Sequence, residues 1–245
     1  MSSSFHHRMD EHLDSPEKKK VYNQQLFTEV APRYDFVTRA LSLGRDRAWK
    51  RRLVAMLPDR DPTACVDLAC GTGDITRMMR ARYPGSRVIG VDLTAPMLDI
   101  ARQHVDRPPI DYRQADMCDT GLETASVDIV TGGYALRNAP DLDAALREVH
   151  RILTPGGTAA FLDFSKPSTR WLQHVELQLL SCWGGFWGWA LHRNAEVYRY
   201  IGESLDRFPD RETLAGQVER HGFRMDYRKT FFCGIMELFL MTRDQ

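Results

Sequence analysis

Much is scarce or missing in this 245-residue chain, and each gap closes a route. It has no run of roughly 18 apolar residues, so no spanning helix is expected. It has no excess charge: Lys+Arg and Asp+Glu both number 33, and no nucleic-acid partner is expected. The five cysteines, Cys65, Cys70, Cys118, Cys182 and Cys233, form no C-x-x-C pair. Their odd count and wide spacing make a poor disulfide framework, and a reducing cytoplasm fits them best. H-E-x-x-H and other zinc patterns are missing, as is the G-x-S-x-G elbow, so neither a metal site nor serine hydrolysis is expected. No internal repeat occurs, and low complexity is confined to "EKKK". The opening "MSSSFHHRMDEHLDSPEKKK" lacks the apolar stretch of a secretory signal. Residues 1–19 read as a flexible polar arm, with His6 and His7 solvated within it.

What is present is a globular composition, 43% hydrophobic and 27% charged, in a length that suits a single large domain. From Thr63 to about Lys166, short apolar runs alternate with helical patterns. "ACVDLAC", "RVIGVDL", "IDYRQADM", "SVDIVTGG" and "GTAAFLDFS" read as strands, and "DITRMMRARY", "APMLDIARQHV" and "DLDAALREVHRIL" as helices. In the last, Leu142, Ala145, Leu146, Val149, Ile152 and Leu153 recur at three- and four-residue steps, and "TPGG" is expected to stop it. This alternation predicts an α/β, Rossmann-like fold with a mostly parallel sheet and helices on both faces. Residues 20–60 read as a helical cap, 61–167 as the core and 168–208 as an aromatic-rich helical region. Residues 209–245 read as a final helix and a strand hairpin, "GFRMDYRKTFFCGIMELFLMTR", at the sheet's edge.

In such a sheet ligands bind beyond the carboxyl ends of the strands. The first strand runs into "VDLACGTGDIT", where Gly71 and Gly73 allow a sharp turn and close approach of a ligand, with Thr72 between them. Asp67 and Asp74 bring carboxylates to this loop. It is neither G-x-G-x-x-G nor a loop ending G-K-[ST], so it suits a cation better than a phosphate. Asp92 ends the second strand, where an acid can accept both hydroxyls of a ribose; the alternative is an acid on a helix N-terminus. Asp116 and Met117 end the third unit, placed to hold an adenine by its amino group and its face, although a strand-end Asp is often a turn former. Adenine, ribose, no phosphate and a positive charge together describe S-adenosylmethionine.

"VDLACGTGDIT", "GVDLTAPMLDIA", "GGYALRNAPDLDAALREVHRILTPGG" and "LDFSKP" resemble the ubiquinone/menaquinone biosynthesis C-methyltransferase family (UbiE-type), within the class I S-adenosylmethionine-dependent methyltransferases. The likeness extends to "VAPRYDFVTRALSLGRDRAWK" and "YRYIGESLDRFPDRETLAGQVERHGF" and covers roughly residues 20 to 225. The resemblance implies a seven-stranded sheet with a C-terminal antiparallel hairpin, and methyl transfer to an aromatic carbon of a polyprenylated quinol precursor. It places Leu93 and Met97 with the donor, and Tyr34 and Lys50 in a segment that closes over it; a solvated helix face is an equal reading of Lys50. The chain departs from the family pattern at Thr38, where asparagine is usual. It departs again at "CGIMELFLMTRDQ", with Glu237 and Leu238, and in the composition of "LLSCWGGFWGWALHRN". All three regions are expected near the acceptor.

A phenol becomes a carbon nucleophile as its hydroxyl ionises, and a nearby arginine favours the anion. Arg137 is therefore the candidate for anion stabilisation, Asn138 for orienting the acceptor, and Tyr134 for stacking on it or hydrogen-bonding to it. Gly132 and Gly133 leave room for the methionine part of the donor. The structural alternative is that Asn138 or Asp141 caps the next helix while Arg137 pairs with an acid. From Leu177 to His192 no residue is charged, and Trp183, Phe186, Trp187 and Trp189 crowd together. This run reads as a lid over a lipophilic small-molecule acceptor, as a peripheral membrane contact of an otherwise cytoplasmic protein, or as a homodimer surface. Tyr198 and Tyr200 are expected in the same cavity or in the core. Competing functions are O- or N-methylation of another lipophilic acceptor and a non-catalytic donor-binding scaffold. A nicotinamide oxidoreductase is disfavoured by the glycine pattern.

Overall fold

A computed structural model of the chain describes residues 15–167, 169, 171–175, 178, 180, 182, 196–231 and 234–245. Strand β1 (Ala64–Leu68) is buried at every position, as a strand covered on both faces must be. On one side it pairs in parallel with β2 (Arg87–Asp92), which pairs with β3 (Asp111–Gln114). On the other it pairs in parallel with β4 (Val127–Gly133), which pairs with β5 (Leu153–Phe164). The terminal hairpin, β6 (Phe223–Phe231) and β7 (Met236–Arg243), completes a seven-stranded sheet in the order β3-β2-β1-β4-β5-β7-β6. β7 lies antiparallel between β5 and β6. Strand order reverses between β1 and β4, so the crevice beyond their carboxyl ends is the topological switch point where such sheets bind ligands.

Adjacent residues of each strand go to opposite faces, as a two-residue period requires. Val66, Ile89, Val130, Phe161 and Phe239 pack with Leu146 and Val149 in one core. Their neighbours Cys65, Val88, Ile129, Ala160 and Leu238 pack with Leu53, Ile75 and Met79 in the other. Helices α3 (Asp46–Ala55) and α4 (Asp74–Arg82) supply the second core, and α6 (Leu142–Ile152) closes the first. A third cluster lies at the switch-point end of the sheet: Tyr22, Leu26, Val30, Val37, Met97 and Tyr200. It joins α1 (Pro16–Val30) and α2 (Tyr34–Leu41) to α5 (Ala95–Arg102) and α7 (Glu196–Arg207). The helical cap is thus part of the domain's packing. Helix α8 (Arg211–Arg220) leads into the hairpin.

Two boundaries differ from the sequence reading. The first helix among the described residues begins at Pro16, inside the expected arm of residues 1–19. Ser15 caps it by accepting from the Lys18 N–H, and proline occupies the first turn, a start signal masked by the charges that follow. Helix α6 ends at Ile152, just before "TPGG" as expected, but β5 begins at Leu153 and takes in "TPGG", where a start at "GTAAFLDFS" was expected. A register shift between Val127 and Ile129 lets β5 bulge there while remaining paired. Asp141 does cap α6, its Oδ1 accepting from the Ala144 N–H at 2.9 Å. Asp141→Ala is expected to cost about 1 kcal/mol, a fall in Tm of roughly 2–4 °C for a chain of this size. Asp141→Asn should stay near wild type in the same thermal melt, and an unchanged alanine variant would disprove the cap.

Candidate active site

The loop after β1 is built to turn tightly against β2. Ala69, Gly71 and Gly73 all have positive φ, at 49°, 55° and 85°. Gly73 is constrained twice, because a Cβ there would also stand 2.5 Å from the Tyr112 hydroxyl. Asp92 at the end of β2 fastens the loop: its Oδ2 accepts from the Gly71 N–H and its Oδ1 from the Thr94 N–H, both at 2.8 Å. Burial pushes its carboxyl above the usual range, and the two backbone donors oppose that shift. Asp92 therefore organises the turn into α5, while each oxygen keeps a second lone pair beside the cleft.

That cleft is lined by Gly71, Asp92, Leu93, Met97, Asp116, Met117 and Gly133, together with Tyr34, Tyr134 and Asn138. Eight expected donor residues, Tyr34 among them, thus come together with Tyr134 and Asn138 at the ends of β1, β2 and β4 and the segment after β3, while Thr72 and Gly73 lie off this lining. The cleft is narrow, about 70 Å³, and Asn23, Gln24 and Phe27 of α1 form part of its lining. Asp116 pairs with Lys20 of α1 at 2.8 Å and accepts from the Cys118 N–H.

Beside the cleft, and sharing Phe27, Tyr34, Tyr134 and Asn138 with it, lies a cavity of about 560 Å³. Its walls are almost wholly apolar, with Leu26, Val30, Val37, Leu41, Trp49 and Phe164 prominent, and Leu180, Cys182, Ile235 and Met236 on the far side. Arg137 reaches this apolar space although it is only 5% exposed. Its backbone N–H donates to Asp163 Oδ2 at 3.0 Å, and its Nε stands 3.7 Å from Asp163 Oδ1, too far for a hydrogen bond. Nη1 donates to Ser204 Oγ, and the guanidinium carbon lies 4.9 Å from the Phe164 ring centroid and 6.0 Å from that of Tyr200. Both readings of Arg137 hold in part: it is paired with an acid, and it presents a charge to the cavity.

Tyr134 leaves β4 at φ 59°, a conformation a non-glycine residue adopts only when its surroundings impose it. Its N–H donates to Leu162 O, its hydroxyl to Asp46 Oδ1 at 2.7 Å, and its carbonyl accepts from Asn138 Nδ2. Asn138 is therefore occupied by the protein itself. Its Oδ1 accepts from the Tyr200 hydroxyl and its carbonyl from Asn23 Nδ2. These bonds fix the strained junction from within and leave one amide N–H of Asn138 uncommitted on the lining that both cavities share.

Lys50 is 6% exposed, which excludes the solvated helix face, and it lines neither cavity. It bridges Asp46 at 2.8 Å and Asp74 at 3.1 Å, tying the cap to the helix after the glycine loop. Burial pushes the ammonium down, but Asp46, Tyr34 and Asp74 outweigh it and hold it above the usual lysine range. Thr72 points the same way, its hydroxyl donating to Asp35 Oδ1 at 2.7 Å. Tyr34 lines both cavities, its phenol pushed up to about 12 by burial.

Several expectations shift. Asp67 does not line the cleft: it lies beneath it, accepting from Thr76 and Thr131 at 2.7 and 2.8 Å. Glu237 and Leu238 lie away from the cavity, since Glu237 is buried against Arg228 at 2.8 Å and Leu238 packs in the second core. Of the departures from the family pattern, Thr38 reaches the cavity wall, with its hydroxyl donating to Tyr34 O and Asp35 O. The tryptophan-rich run, with Trp183, Phe186, Trp187 and Trp189, lies outside the described residues, as does the Tyr198 side chain. Asn23, Asp46, Asp163 and Ser204 were not singled out in sequence. Asp46, one helical turn before Lys50, left a local signal, and Asp163 and Ser204 lay within the segments "LDFSKP" and "YRYIGES".

The cleft's described lining holds two carboxylates and no lysine, arginine or histidine, together with apolar Leu93, Met97 and Met117. That set fits a cationic nucleoside and not a phosphate, with Asp92 for ribose hydroxyls and the apolar side chains for the adenine faces. Fold and site together define a class I S-adenosylmethionine-dependent methyltransferase. The chain belongs to the ubiE/COQ5 methyltransferase family, whose sequence model matches residues 14–242. It is 35% identical over 209 residues to the demethylmenaquinone methyltransferase of Thermus thermophilus, covering 84% of this chain and 95% of that protein. It is 37% identical over 218 residues to the 2-phytyl-1,4-naphtoquinone methyltransferase of Thermosynechococcus vestitus, covering 88% and 96%. Among solved structures, the methyltransferase in complex with the Haloferax volcanii Trm112 activator superposes with a TM-score of 0.68 at 18% identity over 89% of this chain and 98% of that one. An S-adenosylmethionine-dependent methyltransferase from Mesorhizobium loti gives 0.56 at 21% over 78% and 96%. These two likenesses concern the fold alone.

The buried Asp67 makes a pH prediction. Burial raises its carboxyl to about 6 from 3.8, against the two threonine hydroxyls. A raised folded pKa gives stability that is fully present below about 4 and lost as pH rises through about 6. Over that window wild type should lose roughly 3 kcal/mol relative to Asp67→Asn in denaturant titrations. Parallel stability profiles of the two proteins would contradict it.

Proposed function

We propose that this enzyme transfers the methyl group of S-adenosylmethionine to a ring carbon of a prenylated quinol. The observation that carries this reading is one buried cation, Arg137, in an otherwise apolar cavity of about 560 Å³ that adjoins the donor cleft. When bound, the donor supplies an electrophilic methyl group on a sulfonium. The cavity serves the acceptor: its apolar walls take the prenyl chain and exclude water, and Arg137 faces the ring hydroxyl. Among the described residues no aspartate, glutamate or histidine lines the cavity, so ionisation of that hydroxyl rests on the arginine's field. The hydroxyl proton would pass to solvent and the anion's charge spread to the adjacent ring carbon, which Tyr134, shared by both cavities, sets against the donor. That carbon would gain the methyl as the methyl–sulfur bond breaks to a neutral thioether. Its own hydrogen would then leave as a proton while the ring hydroxyl is restored, one proton being released overall. The names of the relatives agree with such an acceptor. Of the departures from the family pattern that reach the cavity, Thr38 turns its hydroxyl back onto its own helix and Ile235 and Met236 are apolar, so none of these three offers a group that calls for an O- or N-methyl acceptor.

The test is turnover of labelled donor with a prenylated naphthoquinol and with its non-prenylated counterpart. The prenylated compound should be strongly preferred, and its product should carry a carbon-bound methyl group by NMR. Methyl on oxygen, or equal turnover of both, would refute the assignment. Arg137→Ala should lower kcat by about 10²–10³-fold, as loss of one preorganised oxyanion donor does, with donor affinity by calorimetry unchanged within about twofold.

A further inference from the structure

The segment "YRYIGES" contributes two residues, Tyr200 and Ser204, one helical turn apart on α7 and both facing Arg137. Ser204 is 3% exposed. Its only hydroxyl hydrogen is committed within the helix, to Tyr200 O at 2.6 Å or Ile201 O at 3.2 Å. A serine bonded back to its own helix this way can only accept from elsewhere, and its lone pairs point at Arg137 Nη1. Asp163 pairs with the guanidinium without hydrogen-bonding it: its nearest oxygen stands 3.7 Å from Nε, while its two oxygens accept the Arg137 and Phe164 backbone N–H groups. The contact with the Phe164 ring face, 4.9 Å from guanidinium carbon to centroid, is non-directional within the ring plane and does not select which nitrogen faces the cavity. Nε is buried without a hydrogen-bond partner, and no described residue accepts from Nη2. The orientation of the cation therefore depends on one hydrogen bond.

We propose that Ser204 is the positioning residue for the methyl-transfer reaction: it pins Arg137 Nη1 so that the free edge of the guanidinium meets the acceptor's oxyanion. Tyr200 assists by lying under the same cation while its hydroxyl holds Asn23 and Asn138. The inference rests on the reading of Arg137 given above. Without the serine, the arginine keeps its charge partner but swings out of register, and the acceptor hydroxyl ionises at higher pH. A purely structural serine would affect melting temperature and donor binding, and would leave the pH at which the rate rises unchanged.

The experiment compares full-length wild type, Ser204→Ala, Ser204→Thr and Arg137→Ala, measuring kcat against pH with the prenylated naphthoquinol, donor affinity and thermal stability. Ser204→Ala is expected to lower kcat at neutral pH about tenfold and to move the rising limb about one unit alkaline, with donor affinity unchanged. Ser204→Thr, which keeps the accepting oxygen, should restore most of the rate and the wild-type limb. If the alanine variant does not fold, Ser204→Cys, nearly the same size but a weaker acceptor, should show the same displacement. A Ser204→Ala or Ser204→Cys enzyme with a wild-type limb overturns the inference. If Arg137→Ala is impaired in that case, the role of Arg137 stands; if Arg137→Ala is also normal, the reading of the site fails with it.

Discussion

The site depends on keeping one positive charge out of water. Moving an ion from water into a protein interior costs several kcal/mol even after relaxation, and Arg137 is nearly inaccessible in a mostly apolar wall. Offsetting features surround it. Asp163 neutralises the charge, and it is itself held by backbone donors at the end of β5. Phe164 and Tyr200 present ring faces to the cation, a contact worth about 0.5–2 kcal/mol each. The arrangement compensates the charge without saturating its donors. A guanidinium gripped bidentately by a carboxylate would be more stable and would have less to offer a developing anion.

That compromise explains why the junction after β4 is strained and so heavily tied. Tyr134 at positive φ sits where the donor cleft and the apolar cavity meet, and its conformation is imposed by partners from four other segments: Asp46 in the cap, Leu162 in β5, Asn138 in its own turn and, through Asn138, Tyr200 and Asn23. Lys50 and Thr72 add links from the cap to the glycine loop and the helix behind it. The cap is thus wired to both halves of the reaction. Asn23 of α1 lines the donor cleft and also holds the Asn138 carbonyl, so one residue of the cap touches both sides of the junction.

What was legible in the sequence was what depends on neighbours along the chain. The strands alternate, the glycine loop follows β1 directly, and Asp92, Asp116 and Gly133 lie at strand ends, so the cleft could be assembled from topology alone. The supporting contacts are of another kind. Asp46 and Tyr134 are 88 positions apart, Asn23 and Asn138 115, and Ser204 and Arg137 67. No periodicity reports such a pair, and each partner has an innocent local reading as a helix-start acid, a surface amide or a helix serine. Asp67 misled for the converse reason. A carboxylate two residues from a glycine loop looks exposed to ligand, yet a side chain in the middle of a fully buried strand points into a core, and it found two threonines there.

The same distinction bears on acceptor choice. The altered C-terminal strand looked like a change of substrate, but Glu237 faces Arg228 across the hairpin and Leu238 enters the second core. Those residues stabilise the sheet, and the strand meets the cavity only near its start, at Ile235 and Met236. Thr38 is different. An asparagine side chain at that wall would bring both a donor and an acceptor to an apolar surface, whereas threonine turns its one hydroxyl back onto its helix. Threonine in place of asparagine removes a polar handle from this wall and leaves recognition to shape along most of the cavity. Specificity of that kind is weak per methylene but tolerant of length. Arg137 would then select the hydroxyl-bearing ring, and the apolar walls would select little beyond a greasy tail.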